Sequence, residues 1–337
     1  MLSAKIKKTL NYLFRGLIVI ATYLFIYHEV FYERDLETIL GRLSESFHSK
    51  GFLLSIAGVI LLMPINWGIE SFKWKLLIGR IEKVSFFRSF MAVLTGTSVS
   101  SFTPNRTGEY FGRVFILDRG SHIEGILITI IGSISQLMIT LVVGLFSVLY
   151  FVPNYVDVPA RIYNYIYFGM IVSIPILVFL LLVFYFRISI LSAVLGKLLP
   201  RKLEKWNKYL DVFNWYSPRE LLTVLLMSFA RYLVFTFQFY WLIRIFGLEL
   251  PPGQAFVIIS VIYLAMTAIP TVALAELGVR GSISIYVISL YLRATGSPVP
   301  DHEFAVFAAS TVTWLINLIL PAFLGTLFVF RLKFFRR

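Results

Sequence analysis

Arg106, Glu109 and Arg113 fall in one polar stretch, Thr103-Pro104-Asn105-Arg106-Thr107-Gly108-Glu109-Tyr110-Phe111-Gly112-Arg113, set between long apolar runs. Roughly half the 337-residue chain later the pattern returns, altered, as Ile269-Pro270-Thr271-Val272-Ala273-Leu274-Ala275-Glu276-Leu277-Gly278-Val279-Arg280. In each copy a proline precedes a glutamate, and an arginine follows that glutamate four residues on. A helix places such a pair on one face in the favoured order. A charged side chain at the centre of a membrane helix costs about 2.5–3.5 kcal/mol on insertion scales, so Glu109, Arg113, Glu276 and Arg280 need a reason to persist. Two accounts are open: neutralising ion pairs that only hold a hairpin, or the lining of a polar cavity that meets a charged headgroup. Arg106 is either a bidentate donor to a phosphodiester or a snorkelling surface arginine.

Pro104 and Pro270 can each break a helix and begin the next at its first position, and Gly108 allows close backbone approach. The second half-helix would then turn free N–H groups into the membrane, where they attract phosphate or carboxylate. Arg231, near the middle of a later apolar run, should face the bundle interior, as partner to a glutamate or as a ligand contact. Thr95, Gly96, Thr97, Ser98, Ser100 and Ser101 suit tight helix packing, and Ser133, Gln136 and Thr140 share a helical face that serves interhelical bonding or a cavity. Asn66, Glu70, Lys73 and Lys75 read as a solvated, self-paired helix end in preference to a site.

The four histidines, His28, His48, His122 and His302, are scattered, so no metal site is expected. The chain has no cysteine and no Walker loop, dinucleotide fingerprint or His-Glu-x-x-His run. No cofactor is expected.

The elements that must position these residues follow from composition. Hydrophobic residues make up 58% of the chain and aromatics 17%, which is membrane composition. The net charge of +13 comes from basic residues in short connections, as the positive-inside rule describes, so nucleic acid is not the expected partner. Apolar runs at about 17–27, 51–68, 123–151, 165–186, 221–246 and 304–330 read as spans, the first uncleaved with a cytoplasmic N-terminus. Trp67 and Trp74 suit the membrane interface. The segment 90–102 is too short to cross as a helix, so it and Tyr110–Leu117 form a re-entrant hairpin. Gln254–Ile269 and Leu277–Leu290 form a second. Residues 201–216 look like an interfacial amphipathic helix.

On this topology only Arg34, Arg42, Lys50, Arg161, Arg244 and Arg293 lie outside, and Arg106, Arg231 and Arg280 lie within the membrane. Each half has an odd number of spans, so the halves are inverted relative to one another. The expected fold is an all-α polytopic membrane protein with about six transmembrane helices plus two re-entrant broken helices, arranged as an inverted-topology repeat. It is one integral membrane domain over 1–337, with repeat one at about 1–160 and repeat two at about 161–337.

Pro104 to Arg113 resembles the Pro-Gly-Arg-x-Gly-Glu-x-x-Arg type stretch of the transmembrane, flippase-like region of lysylphosphatidylglycerol synthases, with one extra residue before the final arginine. Asn66-Trp67 through Lys73-Trp74-Lys75-Leu76-Leu77 is similar to that family's aromatic-basic stretch, and the resemblance covers nearly the whole chain. Ala275-Glu276 stands where glycines are usual in the family, and Ser135-Gln136 replaces a Glu-Arg pair. Both departures suggest a divergent subgroup with a different lipid. The soluble aminoacyl-transferase domain of the bifunctional synthases is not expected here, which argues against lysyltransferase activity.

The resemblance implies lipid translocation. Together the readings point to a flippase or transporter handling a phospholipid or lipid-linked headgroup at a mid-membrane cavity. Arg106, Arg113, Arg231 and Arg280 would bind it with Glu109 and Glu276, and membrane lipids would be the partners. A homodimer or a separate lipid-modifying enzyme could associate. The plasma (inner) membrane is the expected location, with both termini cytoplasmic. The alternative is a membrane-embedded enzyme or assembly factor for lipid-linked sugars or modified lipids, with Glu109 as general base.

Overall fold

The computed structural model describes residues 50–103, 106–118, 121–198, 207–269, 273–297 and 302–330, with isolated positions between 9 and 24. Among these residues every regular element is a helix. Helices α1 (Lys50–Ile78), α4 (His122–Tyr155), α5 (Ala160–Phe186) and α8 (Pro218–Ile245) are long and apolar enough to cross a membrane. So is the segment His302–Val329, composed of α11 (His302–Trp314), a π-helical turn (Leu315–Ile319) and α12 (Leu320–Val329). The first expected span, at about 17–27, lies for the most part outside the described residues.

The remaining helices are shorter or more polar: α2 (Phe86–Ser100), α3 (Gly108–Val114), α6 (Ser189–Leu198), α7 (Asn207–Leu210), α9 (Pro252–Ala268) and α10 (Ala273–Ala294). The expected boundaries shift in two places. Helix α3 has only seven residues, shorter than the Tyr110–Leu117 arm read from the sequence. Helix α10 is one continuous helix of 22 residues, longer than a half-helix. Pro104 and Pro270, read as helix breaks, lie outside the described residues.

Local chemistry explains the helix starts. Ser85 and Ser121 accept hydrogen bonds from the backbone N–H of Arg88 and Glu124, and Ser217 with Glu220 forms a reciprocal capping box ahead of α8. Each satisfies donors that the first helical turn leaves unpaired. The π turn has a local cause. Pro321 has no N–H to donate, and the N–H of Leu320 bonds instead to the carbonyl of Leu315, five residues back. A single π turn is a known way for a helix to absorb such an interruption.

Helices α1, α4 and α8 pack around the core, with α9 against α4 and α12 against α2. Helix α5 is peripheral. Its Tyr165, Phe168 and Phe179 are among the exposed large hydrophobics, as suits a helix long and apolar enough to cross a membrane. Trp67 and Trp74, expected at the headgroup level, are instead buried in the protein, because α1 runs ten residues past Gly68 and turns both rings inward. The Trp74 indole donates to Thr129 Oγ1 at 3.1 Å.

The stretch read as an interfacial helix also differs. Its described part is a four-residue helix, α7, followed by a 3-10 turn over Asp211–Asn214. Leu210, Val212 and Phe213 are buried there against α4 and α6. These side chains pack into the protein and not onto a leaflet. The small residues of α2 do serve packing: a Cβ on Gly112 would sit 2.7 Å from the Gly96 Cα, and Ser98 donates to the Ala322 carbonyl at 2.6 Å.

Candidate functional site

The polar side chains assemble on two neighbouring centres. The first is Glu70 on α1, only 4% exposed. Its Oε2 receives Lys73 Nζ at 2.8 Å and Arg231 Nη1 at 2.8 Å, and its Oε1 receives Arg113 Nη1 at 2.7 Å. Four elements meet here, because Lys73 comes from α1, Arg113 from α3, Arg231 from α8, and Lys73 reaches on to the Gly132 carbonyl of α4 at 3.2 Å. Taking a charge out of water costs several kcal/mol unless partners and hydrogen bonds compensate. One carboxylate shared by three cations compensates them only in part.

This centre corrects the sequence reading. Asn66, Glu70 and Lys73 are not a solvated helix end; all three are buried. Lys75 alone of that group is half-buried, with its ammonium 5.6 Å from the Phe72 ring. The spacing 66, 70, 73 lies on one helical face, which is the signal that could have marked it. Arg231 bonds Asn66 Oδ1 through Nε at 2.8 Å, and its guanidinium lies over the rings of Trp67 and Phe235 at 5.0 and 5.2 Å. Both sequence accounts of Arg231 therefore coexist: it partners a glutamate and lines a cavity.

The second centre is Glu276. Arg106 Nη2 donates to its two oxygens at 2.7 and 2.8 Å, and Arg106 Nε lies 3.3 Å from Oε2. Arg280 Nη2 donates to Oε1 at 3.1 Å. The two polar stretches that repeat along the sequence thus touch through Arg106 and Glu276. Arg106 has φ 55, the left-handed region that a side chain with a Cβ adopts at a cost. Gly108 shows the close approach expected of it, since a Cβ there would lie 2.5 Å from the Val99 carbonyl oxygen.

Both centres open on one cavity of about 720 Å³. Arg106, Arg231, Glu276 and Arg280 line it, with Trp67, Gln136, Tyr263 and Asn317. Arg113 and Glu109 were expected to meet the ligand, but neither is among the residues that line it. Arg113 is bonded to Glu70 and to Glu109 and covered by Gly96, where a Cβ would meet the Arg113 Cγ at 2.8 Å. Its part is to hold α3 against α1. Gln136 bonds the Ser228 carbonyl at 3.3 Å and also faces the cavity with Thr140, while Ser133 bonds back to Thr129 on its own helix.

Sequence reasoning missed Trp67 as a lining residue, and with it Tyr232, Tyr263, Thr313 and Asn317. Asn317 sits in the π turn, a distortion with no periodic signature, and accepts from Asn66 Nδ2 at 3.4 Å. Among the described residues no group of histidine and carboxylate side chains could hold a metal ion.

The family model described as the lysylphosphatidylglycerol synthase TM region matches residues 13–299. The chain belongs to this family. Neither a curated protein nor a solved structure matches it. The match to the lysylphosphatidylglycerol synthase TM region spans both centres and most of the cavity lining, and it makes the chain an integral membrane protein related to lipid handling.

Proposed function

We propose that this member of the lysylphosphatidylglycerol synthase TM region family binds a lipid with an anionic, phosphate-bearing headgroup in the cavity and moves it between leaflets without changing its chemistry. The observation that carries this reading is a charge imbalance. Arg106, Arg113, Arg231, Arg280 and Lys73 face only Glu70, Glu109 and Glu276 within the two centres. Among the described residues the centres therefore hold a surplus of two positive charges. A low-dielectric site tolerates that poorly unless a counterion arrives. Leu137, Met266, Ile269 and Leu318 on the same lining suit the glycerol and first methylenes of a lipid.

In this reading the chain is an inverted-topology repeat, about 1–160 and 161–337, whose broken elements α2–α3 and α9–α10 meet at Arg106 and Glu276. Support for a re-entrant α2–α3 comes from Arg88 at the start of α2. It pairs with Asp118 beyond α3 at 2.8 Å and donates to the Ile116 carbonyl at 2.6 Å, so the hairpin leaves and returns at one level. Rocking one repeat on the other would expose the cavity to each leaflet in turn. The plasma (inner) membrane with both termini cytoplasmic is the location this reading adopts, with the basic connections in support of the orientation.

Reconstitution tests it. Vesicles carrying a headgroup-labelled anionic phospholipid should expose label from the inner leaflet to an impermeant quencher faster with protein than without, and Arg280→Gln should remove most of the gain. Mass spectrometry should find the lipid unaltered. A modified lipid whose formation needs Glu109 would replace transport by a membrane-embedded enzyme.

A further inference from the structure

The lining distinguishes between kinds of charged headgroup. The one carboxylate among the described cavity-lining residues, Glu276, has Oε1 shared by Arg106 and Arg280 and Oε2 held by Arg106. Glu70 lies behind the wall with three cations on it. An ammonium group entering the cavity would find no free carboxylate and would face the guanidinium groups of Arg106, Arg231 and Arg280. Like-charge contact at low dielectric costs several kcal/mol.

The unsatisfied groups point the same way. Trp67 Nε1 and Arg280 Nε are buried donors without a hydrogen-bond partner among the described residues, and both residues line the cavity. Arg231 commits Nε to Asn66 and Nη1 to Glu70, which leaves Nη2 for a ligand. Buried donors left unpaired cost about 1–3 kcal/mol each, and a ligand rich in acceptor oxygens relieves them.

A phosphodiester brings one negative charge, whereas a phosphate monoester brings about −1.5 to −2 and three terminal oxygens near pH 7. Only the monoester matches a surplus of two. We infer that the cavity selects lipids ending in a phosphate monoester over phosphodiester and amine-bearing lipids. The inference rests on the lipid-binding reading above and narrows it.

The test compares ligands that differ by a single methyl group. Purified protein in detergent is titrated with short-chain phosphatidate, with the phosphatidylmethanol of the same chains, with phosphatidylethanolamine and with glycerol 3-phosphate, followed by native mass spectrometry. Phosphatidate should bind at least about tenfold tighter than phosphatidylmethanol, with phosphatidylethanolamine weakest and glycerol 3-phosphate far behind phosphatidate. Trp67→Phe keeps the ring and removes one donor, so it should cut phosphatidate affinity by about tenfold and narrow its lead over phosphatidylmethanol. Arg280→Gln should narrow it further, with monodispersity on size exclusion as the check on folding.

Equal affinity for phosphatidate and phosphatidylmethanol overturns the monoester selection while leaving the lipid site standing. Glycerol 3-phosphate binding as tightly as phosphatidate overturns the lipid as the source of the phosphate. Binding of none of the four overturns both the inference and the function it narrows.

Discussion

Arg106 spans the two repeated polar stretches: its Nη2 lies 2.7 and 2.8 Å from the carboxylate oxygens of Glu276, 170 residues further along the chain. The contact ties α10 to the turn before α3, and it does so from a residue held at φ 55. Side chain and backbone can therefore be separated by mutation. Arg106→Ala and Arg106→Gly both delete the guanidinium, and each should lower transport by at least about tenfold, the loss of one charged hydrogen-bonded contact. Glycine tolerates the left-handed backbone and alanine does not. Both variants should melt below the parent for the lost contact to Glu276, and Arg106→Ala should lose about 1 kcal/mol more than Arg106→Gly. Equal melting temperatures for the two variants would show that the turn is unstrained.

Glu70 and Lys73 give a prediction about order of effect. Glu70→Gln strips the shared counterion from Lys73, Arg113 and Arg231, leaving three buried cations together. Breaking a buried pair from one side costs about 3–5 kcal/mol, and this case should reach that range or prevent folding. Lys73→Met removes one of the surplus cations. It gives up the bonds to Gly132 and Ser228, but it relieves repulsion from Arg113 and Arg231 and should cost less than about 2 kcal/mol. Thermal unfolding in detergent ranks the two, and a larger loss for Lys73→Met contradicts Glu70 as the hub.

The charges at Arg106, Arg231, Glu276 and Arg280 were legible because a charge inside an apolar run is costly wherever it points. The repeat brought Arg106, Glu276 and Arg280 under one cavity reading, Arg231 was left between a glutamate partner and a ligand contact, and the structure places all four on one lining. Glu70 and Lys73 were hidden by context. They precede Lys75 and Arg80 in sequence, so the run looked like a basic helix end in solvent, whereas α1 continues to Ile78 with its polar face inward. Arg113 was expected to meet the ligand because local spacing pairs it with Glu109, whereas it also reaches Glu70 and lies under Gly96, away from the cavity lining. The π turn that carries Asn317 follows from Pro321 only once the helix is known to continue past the proline.

The glycine contact makes its own test. A Cβ on Gly112 would lie 2.7 Å from the Gly96 Cα and 3.1 Å from its N, backbone atoms that cannot rotate away. Gly112→Ala should push α3 off α2, shift Arg113 from Glu70, and cost about 1–3 kcal/mol. Gly68→Ala is the matched control, since a Cβ there meets nothing within 4 Å and alanine favours the helix by about 0.5–1 kcal/mol. Unfolding temperatures should move in opposite directions. A neutral Gly112→Ala would mean that the α2–α3 contact is looser than the geometry requires.

The proposed inverted repeat makes a prediction about sidedness, and the absence of native cysteine makes it direct to measure. Asp157 lies in the short link between α4 and α5, and Ser297 follows α10; the repeat puts both outside. Lys83, in the link between α1 and α2, is expected on the cytoplasmic side with the basic connections. Single cysteines at Asp157 and Ser297 should react with an impermeant maleimide in intact cells, and one at Lys83 should react only after the membrane is opened. Asp157 and Ser297 fall in opposite halves of the chain, so their shared side depends on the halves being inserted with opposite orientation and on α9–α10 returning to the side it left. Labelling at Asp157 but not at Ser297 would make α9–α10 a net crossing. The 22 residues of α10, about 33 Å of helix, are long enough for that outcome, which is why Ser297 decides between re-entrant and spanning geometry.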